Sequence, residues 1–267
     1  MQKINCENVF KLLSKEYKFG KLFTFDTLES TNKTAKELAI SGINEGALVA
    51  ALSQTAGRGR LGRNFYSPMG SGVYFSLILR PEISPKDSVL ITTAASVAVA
   101  KAIENITKNN VKIKWVNDIF LNGKKVSGIL SEAGFSANEN SLDYVILGIG
   151  INLIKPKSGF PDDIKNTAGA IFEKEVENSI YSKIILETIN AFFDIYKDVT
   201  KVDFLNEYKS RSMVLGKEIT FERENKKITA TVLDIDDRCR LVVKEKSGAA
   251  YLISSGEISL GSSNFAE

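Results

Sequence analysis

The chain has 267 residues, of which 43% are hydrophobic, and its 35 basic and 32 acidic side chains leave a formal net charge of +3. This length allows one large domain or a large and a small one, the hydrophobic content excludes a disordered chain, and the small net charge argues against a surface that coats nucleic acid. Because the sequence contains no histidine, it lacks the usual general base and any histidine-activated nucleophile, so an enzyme of this sequence must rely on charge stabilisation and positioning.

The first 80 residues alternate between predicted helices and strands. Apolar residues at helical spacing predict a helix over Glu7 to Tyr17, and alternation predicts a strand over Lys21 to Thr27. Ser30-Thr31-Asn32 offers side chains that cap a helix start, so a second helix is expected to run from there to about residue 40. Strands over Ala47 to Ser53 and Gly72 to Arg80 follow.

The middle of the chain mixes one hairpin with longer elements. An alanine-rich helix is predicted over 87–106, strands over 111–116 and 142–153, and a helix over 180–209 with a break near 199–202. Asn122-Gly123 between apolar runs predicts a hairpin with a two-residue turn, with strands over 119–121 and 124–130. This mixture predicts an α+β fold with a mixed sheet and helices on one face.

The pattern changes after about Ser212. Short strand-like runs follow one another at 218–221, 228–234, 241–244 and 251–254, and none is long enough to bracket a helix. Consecutive short strands are typical of a small β-barrel. We therefore divide the chain into a main domain over residues 1–212 and a barrel over residues 213–267.

Several features predict a soluble protein of the cytoplasm. Charged residues break up the N-terminus, so a signal peptide is not expected, and the apolar runs at 73–79 and 144–154 are shorter than the roughly 20 residues that span a bilayer. Cys6 and Cys239 lie far apart without the spacing of a zinc site. We expect both to be reduced thiols.

Residues 57–63 read Gly57-Arg58-Gly59-Arg60-Leu61-Gly62-Arg63. Glycine loosens the backbone and arginine offers planar, bidentate contacts to phosphate or carboxylate, so this segment, the basic loop, is expected to surround an anion. It formally matches G-x-G-x-x-G, but a strand rather than a helix follows, which excludes a dinucleotide-binding turn, and the P-loop spacing is absent. The alternative is a solvated basic surface loop.

Each of the other polar segments, taken singly, can be explained by a purely structural role. Trp115 could be a core residue, Asn117-Asp118 could be turn chemistry, and the glycines of 147–152 could relieve crowding in a strand. Glycines in a strand can also let a ligand lie against the backbone. Separate structural roles do not easily explain why all of these segments occur in this order along one chain.

That order resembles a biotin–protein ligase over nearly the whole chain. The matching segments are Glu29-Ser30-Thr31-Asn32, Gln54-Thr55-Ala56-Gly57-Arg58-Gly59-Arg60, Lys114-Trp115-Val116-Asn117-Asp118, Lys125-Val126-Ser127-Gly128-Ile129-Leu130, Leu147-Gly148-Ile149-Gly150-Ile151-Asn152 and Gly256-Glu257-Ile258-Ser259. The resemblance implies a class II synthetase-like catalytic domain followed by an SH3-like C-terminal barrel. Because the first motif begins near residue 30, we expect the short form, without the N-terminal DNA-binding domain of some members.

The activity implied by the resemblance has two steps. Biotin and ATP form biotinyl-5′-AMP and pyrophosphate, and the ε-amine of a lysine on a biotin carboxyl carrier domain then takes the biotin and releases AMP. Mg²⁺ is implied on the ATP phosphates, with no protein-bound metal otherwise. The carrier is expected to belong to a carboxylase or decarboxylase, and a homodimer through an edge of the main sheet is implied by resemblance.

The resemblance also assigns residues to the two substrates. The biotin site comprises Ser30, Thr31, Asn32, Gln54, Gly57, Arg58, Gly59, Arg60, Lys125, Gly128, Gly148 and Gly150. The nucleotide site comprises Arg58, Arg60, Arg63, Lys114, Trp115, Asn117, Asp118 and Asn152. Arg60, Lys125 and Asp118 are the expected catalytic residues, with Asp118 as the candidate to accept or orient the proton of the acceptor lysine.

Three positions depart from the family pattern. Val116 replaces a proline, Leu61 replaces a second arginine in the basic loop, and Phe65 replaces a tryptophan just after it. None of these removes a group expected to take part in the chemistry, so they bear on the rigidity of the loop and on affinity.

Three competing functions remain at this point. A lipoate or octanoate ligase would share the catalytic fold, although the basic loop and the barrel favour biotin. A nucleic-acid-binding module is disfavoured by the net charge and by the lack of aromatic residues within the loop. A protein that only stores biotin would have no use for Arg60, Lys125 and Asp118.

Overall fold

The computed structural model describes residues 5–136, 141–223 and 226–260. In this part of the chain the helices are α1 (Cys6–Glu16), α2 (Thr31–Ile40), α3 (Val89–Thr107), α4 (Asn178–Tyr196) and α5 (Leu205–Ser210). The strands before α4 are β1 (Leu22–Phe25), β2 (Leu48–Ala51), β3 (Gly72–Leu79), β4 (Lys112–Lys114), β5 (Asp118–Leu121), β6 (Lys124–Phe135) and β7 (Leu142–Asn152). The later strands are β8 (Glu218–Arg223), β9 (Lys226–Ile235), β10 (Leu241–Lys244), β11 (Ala250–Ile253) and β12 (Ile258–Leu260).

The strands form two sheets. The larger sheet has the order β1-β2-β3-β7-β6-β5-β4, with β1 and β2 parallel and the other neighbours antiparallel. The smaller sheet has the order β11-β10-β9-β8-β12. The predicted α+β class with a mixed sheet is confirmed. The predicted break in the C-terminal helical segment is also found, as a short 3-10 turn at Val199–Lys201 between α4 and α5.

The helices cover the large sheet unequally. Residues such as Phe75 and Leu77 on β3 belong to the main core, together with residues of α1, α3 and α4, as predicted for one face. Ile78 belongs instead to a second cluster with Ala35 and Ala39 of α2. The prediction that all helices share one face is therefore wrong for α2, whose small alanines let it pack closely on the opposite face.

The helix α3 is apolar because it lies inside the protein. The segment Pro85–Thr107 is long and apolar enough to cross a membrane, but 67% of its most apolar window is buried within the protein. It packs against α4, β5 and β6. An alanine-rich helix covered on several sides is the expected core element here.

The hairpin between β5 and β6 fixes two residues of the site. Asn122 has φ 50° and Gly123 has φ 73°, and two positive φ angles are the requirement of a type I′ turn. The predicted Asn-Gly turn is confirmed. The turn pairs Leu121 with Lys124, and a register shift between Ile119 and Phe120 then brings Asp118 opposite Gly128.

Buried contacts join the C-terminal sheet to the main domain. The indole Nε1 of Trp115 donates a hydrogen bond to the carbonyl oxygen of Cys239 at 2.8 Å, and the Thr93 hydroxyl lies 3.3 Å from the Cys239 sulfur. Burial raises the pKa of the Cys239 thiol to about 11. These contacts dock the segment between β9 and β10 on the main domain.

Candidate active site

The N-terminus of α2 is capped by a side chain from another segment. Ser30 occupies the predicted N-cap position and is 2% exposed, but its hydroxyl makes no capping hydrogen bond. Instead, Oε1 of Gln54 accepts a hydrogen bond from the Thr31 amide at 2.9 Å and lies 3.2 Å from the Thr31 hydroxyl. The amide nitrogen of Gln54 donates to the Ser67 hydroxyl at 3.0 Å. The start of α2 and the residues that flank the basic loop, Gln54 and Ser67, are thus one hydrogen-bonded unit.

Asn32 is held at both ends of its amide. Its Oδ1 accepts a hydrogen bond from the buried Ser76 hydroxyl at 2.7 Å, and its Nδ2 donates to Oε2 of Glu132 at 2.7 Å. The Ser76 hydroxyl also lies 2.8 Å from the Thr31 hydroxyl. A hydroxyl donates one hydrogen and can also accept, so Ser76 can donate to Asn32 while its oxygen accepts from the Thr31 hydroxyl.

The basic loop is folded back on itself. The amide of Gly59 donates to the Arg63 carbonyl at 2.7 Å, and the amide of Phe65 donates to the Gly57 carbonyl at 2.8 Å. Leu61 has φ 55° and is 70% exposed. A Cβ on Gly57 would lie 2.6 Å from the Ser67 hydroxyl, so this glycine is needed for close packing within the loop.

Each arginine of the basic loop has a partner. Arg58 lies 3.2 Å from Glu132, and Arg63 lies 2.5 Å from Glu257. Arg60 donates to Oδ1 of Asn117 at 2.9 Å and to the carbonyl oxygen of residue 256 at 3.0 Å. The loop therefore contacts β6, the segment before β5 and the C-terminal sheet.

Asp118 and Lys125 face each other across the hairpin. Lys125 Nζ lies 2.6 Å from Asp118 Oδ1, and the two side chains are 34% and 23% exposed. Lys114 lies opposite Asp118 on β4. Burial, partly offset by Asp118 and reinforced by Lys125, lowers the pKa of Lys114. The structure thus gathers two lysines around one carboxylate.

The three predicted glycines of the sheet sit beneath protein side chains. The register aligns Gly128 with Gly150, and Leu130 with Gly148. A Cβ on Gly150 would lie 2.6 Å from the ring of Phe65, one on Gly128 would lie 3.3 Å from the same ring and 3.5 Å from Lys125 Nζ, and one on Gly148 would overlap the Asn32 amide. The missing side chains admit Phe65 and Asn32 here.

Asn117 and Asn152 anchor neighbouring backbone. Asn117 Nδ2 donates to the Ile129 carbonyl at 2.8 Å, and Asn152 Nδ2 donates to the Gly169 carbonyl at 2.9 Å. Both are more than nine-tenths buried. Trp115, which was predicted near the nucleotide, is 4% exposed and uses its indole N–H at the contact with the C-terminal sheet. The structure does not bring Trp115 to the open side of the site.

A cavity of about 580 Å³ adjoins the basic loop. Its lining includes Arg60, Ile129 and Ser131 from the main domain and Arg238 and Arg240 from the C-terminal sheet. A wider groove of about 710 Å³ lies on the C-terminal sheet and contains none of the predicted site residues. Of these two, the cavity beside the basic loop is the one whose lining includes a predicted site residue, Arg60.

Sequence reasoning missed two residues of the site. Ser76 could have been noticed as the one small polar residue in the apolar run at 73–79, and Glu132 lies just beyond the predicted end of its strand at residue 130. Phe65 was noted only as a departure from a pattern, although its ring covers two of the predicted glycines.

Comparisons with known proteins find matches for both parts of the chain. The biotin/lipoate A/B protein ligase family matches residues 24–152, and the biotin protein ligase C-terminal domain matches residues 214–261. The chain is 36% identical over 264 residues to the bifunctional ligase/repressor BirA of Bacillus subtilis, covering 94% of this chain and 80% of that protein. It is 26% identical to the biotin–[acetyl-CoA-carboxylase] ligase of Mycobacterium tuberculosis, covering 86% and 85% of the two chains. The structure of the Aquifex aeolicus biotin protein ligase with biotin and ATP aligns with a TM-score of 0.71 at 28% identity, over 90% of this chain and 98% of that one.

Proposed function

The chain belongs to the biotin protein ligase family, and from that premise we propose that the residues around the basic loop activate biotin with ATP and pass it to a carrier lysine. This assignment of residues rests on the contacts that the basic loop makes with two polar clusters of the site, one around Asn32 and one around Asp118. Arg58 reaches Glu132 and through it Asn32, while Arg60 reaches Asn117 beside the Asp118–Lys125 pair.

In the first step an oxygen of the biotin carboxylate attacks the α-phosphorus of ATP. The P–O bond to the β-phosphate breaks, and pyrophosphate leaves with the electron pair. Two anions must approach each other, so cations that neutralise them stabilise the transition state. We assign this role to Arg58, Arg60 and Lys125, each of which can exchange its present partner for a substrate oxygen.

In the second step the acceptor amine attacks the carbonyl carbon of biotinyl-5′-AMP. A C–N bond forms, AMP leaves, and the amine loses a proton. A lysine amine with a pKa near 10.4 is about 0.1% neutral at pH 7.4. Asp118 is the carboxylate proposed to accept or orient that proton, and Lys125 at 2.6 Å keeps it in place.

The uncharged part of biotin requires a different surface. Its ring would be met by the network of Gln54, Thr31, Ser76 and Asn32, which provides neutral donors and acceptors on buried side chains. Arg63 and Asn152 are proposed to border the nucleotide. We give Trp115 a structural role in place of the predicted nucleotide contact, because its polar atom is already used.

Magnesium is proposed to accompany ATP, where it would offset phosphate charge. Mg²⁺ usually keeps phosphate and water ligands and needs only one or two carboxylates from protein. No cluster of three or more His, Cys, Asp or Glu residues suited to a metal occurs in the described part of the chain. Asp118 is the residue of this site that could hold the ion, which fits a metal brought by the substrate.

The acceptor is proposed to be the biotin carboxyl carrier domain of a carboxylase or decarboxylase, in the cytoplasm. We place the proposed homodimer contact at β1, an edge strand of the large sheet. The opposite edge strand, β4, is already engaged, because the Ile113 amide donates to the Arg211 carbonyl at 2.7 Å and the Ile113 carbonyl accepts from the Met213 amide at 2.9 Å. We keep the domain boundary between residues 212 and 213.

The test is mass spectrometry of a carrier domain incubated with this protein, biotin, ATP and Mg²⁺. One added biotin less one water, dependent on ATP, is expected. Arg60→Ala and Lys125→Ala should each slow adenylate formation at least tenfold, since a charge-assisted hydrogen bond contributes about 1.5–3 kcal/mol. Addition of lipoate but not biotin would refute the proposal.

The basic loop is further proposed to close over the adenylate and exclude water. Trypsin should cut near Arg58 to Arg63 in the protein alone, and saturating biotin should slow that cut. A cleavage rate that biotin leaves unaltered would remove the lid role.

A further inference from the structure

Glu132 is a carboxylate in a site that must bind anions. It lies on β6 with a 28% exposed side chain, and each of its two oxygens has its own partner. Oε2 accepts a hydrogen bond from Asn32 at 2.7 Å, while Oε1 lies 3.2 Å from a guanidinium nitrogen of Arg58. One side chain therefore joins the start of α2 to the basic loop.

The negative charge of Glu132 at this position opposes the binding of anions. A negative charge here repels the carboxylate of biotin and the phosphates of ATP unless a cation compensates it. Arg58 provides that compensation, and Glu132 in turn gives the Arg58 guanidinium a fixed partner at 3.2 Å.

We propose that Glu132 is a positioning residue for the ligase reaction, holding Arg58 and the basic loop folded in the substrate-free protein while it orients Asn32. An incoming substrate anion then takes the place of Glu132 at Arg58. The identity of the substrate anion rests on the proposed function, whereas the contact between Glu132 and Arg58 does not. Because Arg58 is 54% exposed, the pair is weak enough to exchange partners.

Orientation of Asn32 is the second task of Glu132. An amide can be rotated so that its oxygen and nitrogen exchange places, and its hydrogen-bond partners decide which arrangement holds. Ser76 donates to Oδ1 and Glu132 accepts from Nδ2, so the two partners specify one orientation. Loss of Glu132 leaves that choice to Ser76 and to the longer contact of Nδ2 with the Leu130 carbonyl at 3.4 Å.

Substitution by glutamine separates the two tasks. In Glu132→Gln the amide oxygen can still accept from Asn32, whereas the amide N–H₂ cannot accept from Arg58. In Glu132→Ala both contacts are lost. Glu173→Gln is the matched control, because Glu173 pairs with Lys155 at 3.3 Å in an exposed ion pair outside the site.

The first measurement is chymotrypsin cleavage after Leu61 in the protein without ligands, followed by mass spectrometry of the fragment. Cleavage of a folded segment reports how often it opens. Loss of a partly exposed ion pair should speed cleavage about two- to fivefold in Glu132→Gln and equally in Arg58→Gln. The double variant should show no further increase, since both changes remove one interaction. The control should behave as the unaltered protein, and thermal unfolding should confirm that each variant is folded.

The second measurement adds ligands. With saturating biotin and a non-hydrolysable ATP analogue, Glu132→Gln and the unaltered protein should be cleaved at the same rate, because the anion now holds Arg58. Biotin affinity by calorimetry should fall less than about threefold in Glu132→Gln and about tenfold in Glu132→Ala, the tenfold loss corresponding to one hydrogen bond.

Two results would overturn the inference. One is cleavage of ligand-free Glu132→Gln at the rate of the unaltered protein, and the other is additive effects of Glu132→Gln and Arg58→Gln. Neither depends on turnover, so a failure of the biotin transfer assay would be seen separately from a failure of this contact.

Discussion

Replacing Asp118 by asparagine should slow transfer of biotin from preformed biotinyl-5′-AMP to a carrier lysine by about 5- to 30-fold. Asp118 is 23% exposed and lies 2.6 Å from Lys125. A charge-assisted hydrogen bond contributes about 1.5–3 kcal/mol, which partial exposure reduces to about 1–2 kcal/mol. At 1.36 kcal/mol per factor of ten in rate, this gives the expected range.

The assay is a single-turnover reaction of purified biotinyl-5′-AMP with the carrier domain, sampled by mass spectrometry. Pyrophosphate release measures the first step in the same variant. The control is Asp162→Asn, because Asp162 is 95% exposed and pairs only with nearby Lys165. If transfer is unchanged while pyrophosphate release slows, Asp118 serves only to hold Lys125, and its role in the second step is refuted.

Three further predictions concern stability and packing. Trp115→Phe should lower the free energy of unfolding, measured by urea denaturation, by about 1–3 kcal/mol, because the buried carbonyl of Cys239 loses its hydrogen-bond donor. An unchanged urea midpoint would show that the contact between the domains does not need this hydrogen bond. Burial alone would raise the pKa of Asp236, but its hydrogen bonds to Arg240 and Arg238 lower that pKa overall. The ionised Asp236 therefore contributes fully to stability above pH 3.8, the pKa of the unfolded state, and this contribution is lost as the pH falls through the lower pKa of the folded state. In thermal melts from pH 2 to 6, Asp236→Asn should be less stable than the unaltered protein only at the upper end of the range. Gly148→Ala should weaken biotin binding at least tenfold in calorimetry, because its Cβ displaces the Asn32 amide; equal affinity would mean that Asn32 moves freely.

The local elements were predictable where one short signal determines the backbone. Asn122-Gly123 specifies a type I′ turn by its two positive φ angles, and the turn fixes which residues of β5 and β6 face each other up to Phe120, beyond which a register shift that the sequence did not predict moves Asp118 opposite Gly128. Ser30 was predicted at the N-cap and occupies it, but its hydroxyl was not the acceptor. The acceptor is Gln54, 24 positions away in sequence from the cap, and no local pattern reveals a contact of that range.

The position of α2 was mispredicted for the same reason. Its alanines fit either face of a sheet, and only the packing of Ala35 and Ala39 against Ile78 decides which face it covers. Glu132 escaped notice because its strand was predicted to end at residue 130, whereas pairing with β7 extends it to 135. Tertiary pairing, rather than local preference, determines both features.

The cations of the site are paired before any substrate arrives, and the pattern of their partners separates their tasks. Arg58 and Lys125 are paired with carboxylates of the main domain, whereas Arg60 and Arg63 reach residues 256–257 of the C-terminal sheet. The C-terminal sheet therefore supports the second half of the basic loop, where Arg60 is also held by Asn117 of the main domain. Separating the sheet from the main domain would remove Glu257 from Arg63 and one of the two partners of Arg60, while Arg60 would keep Asn117 and Arg58 would keep Glu132.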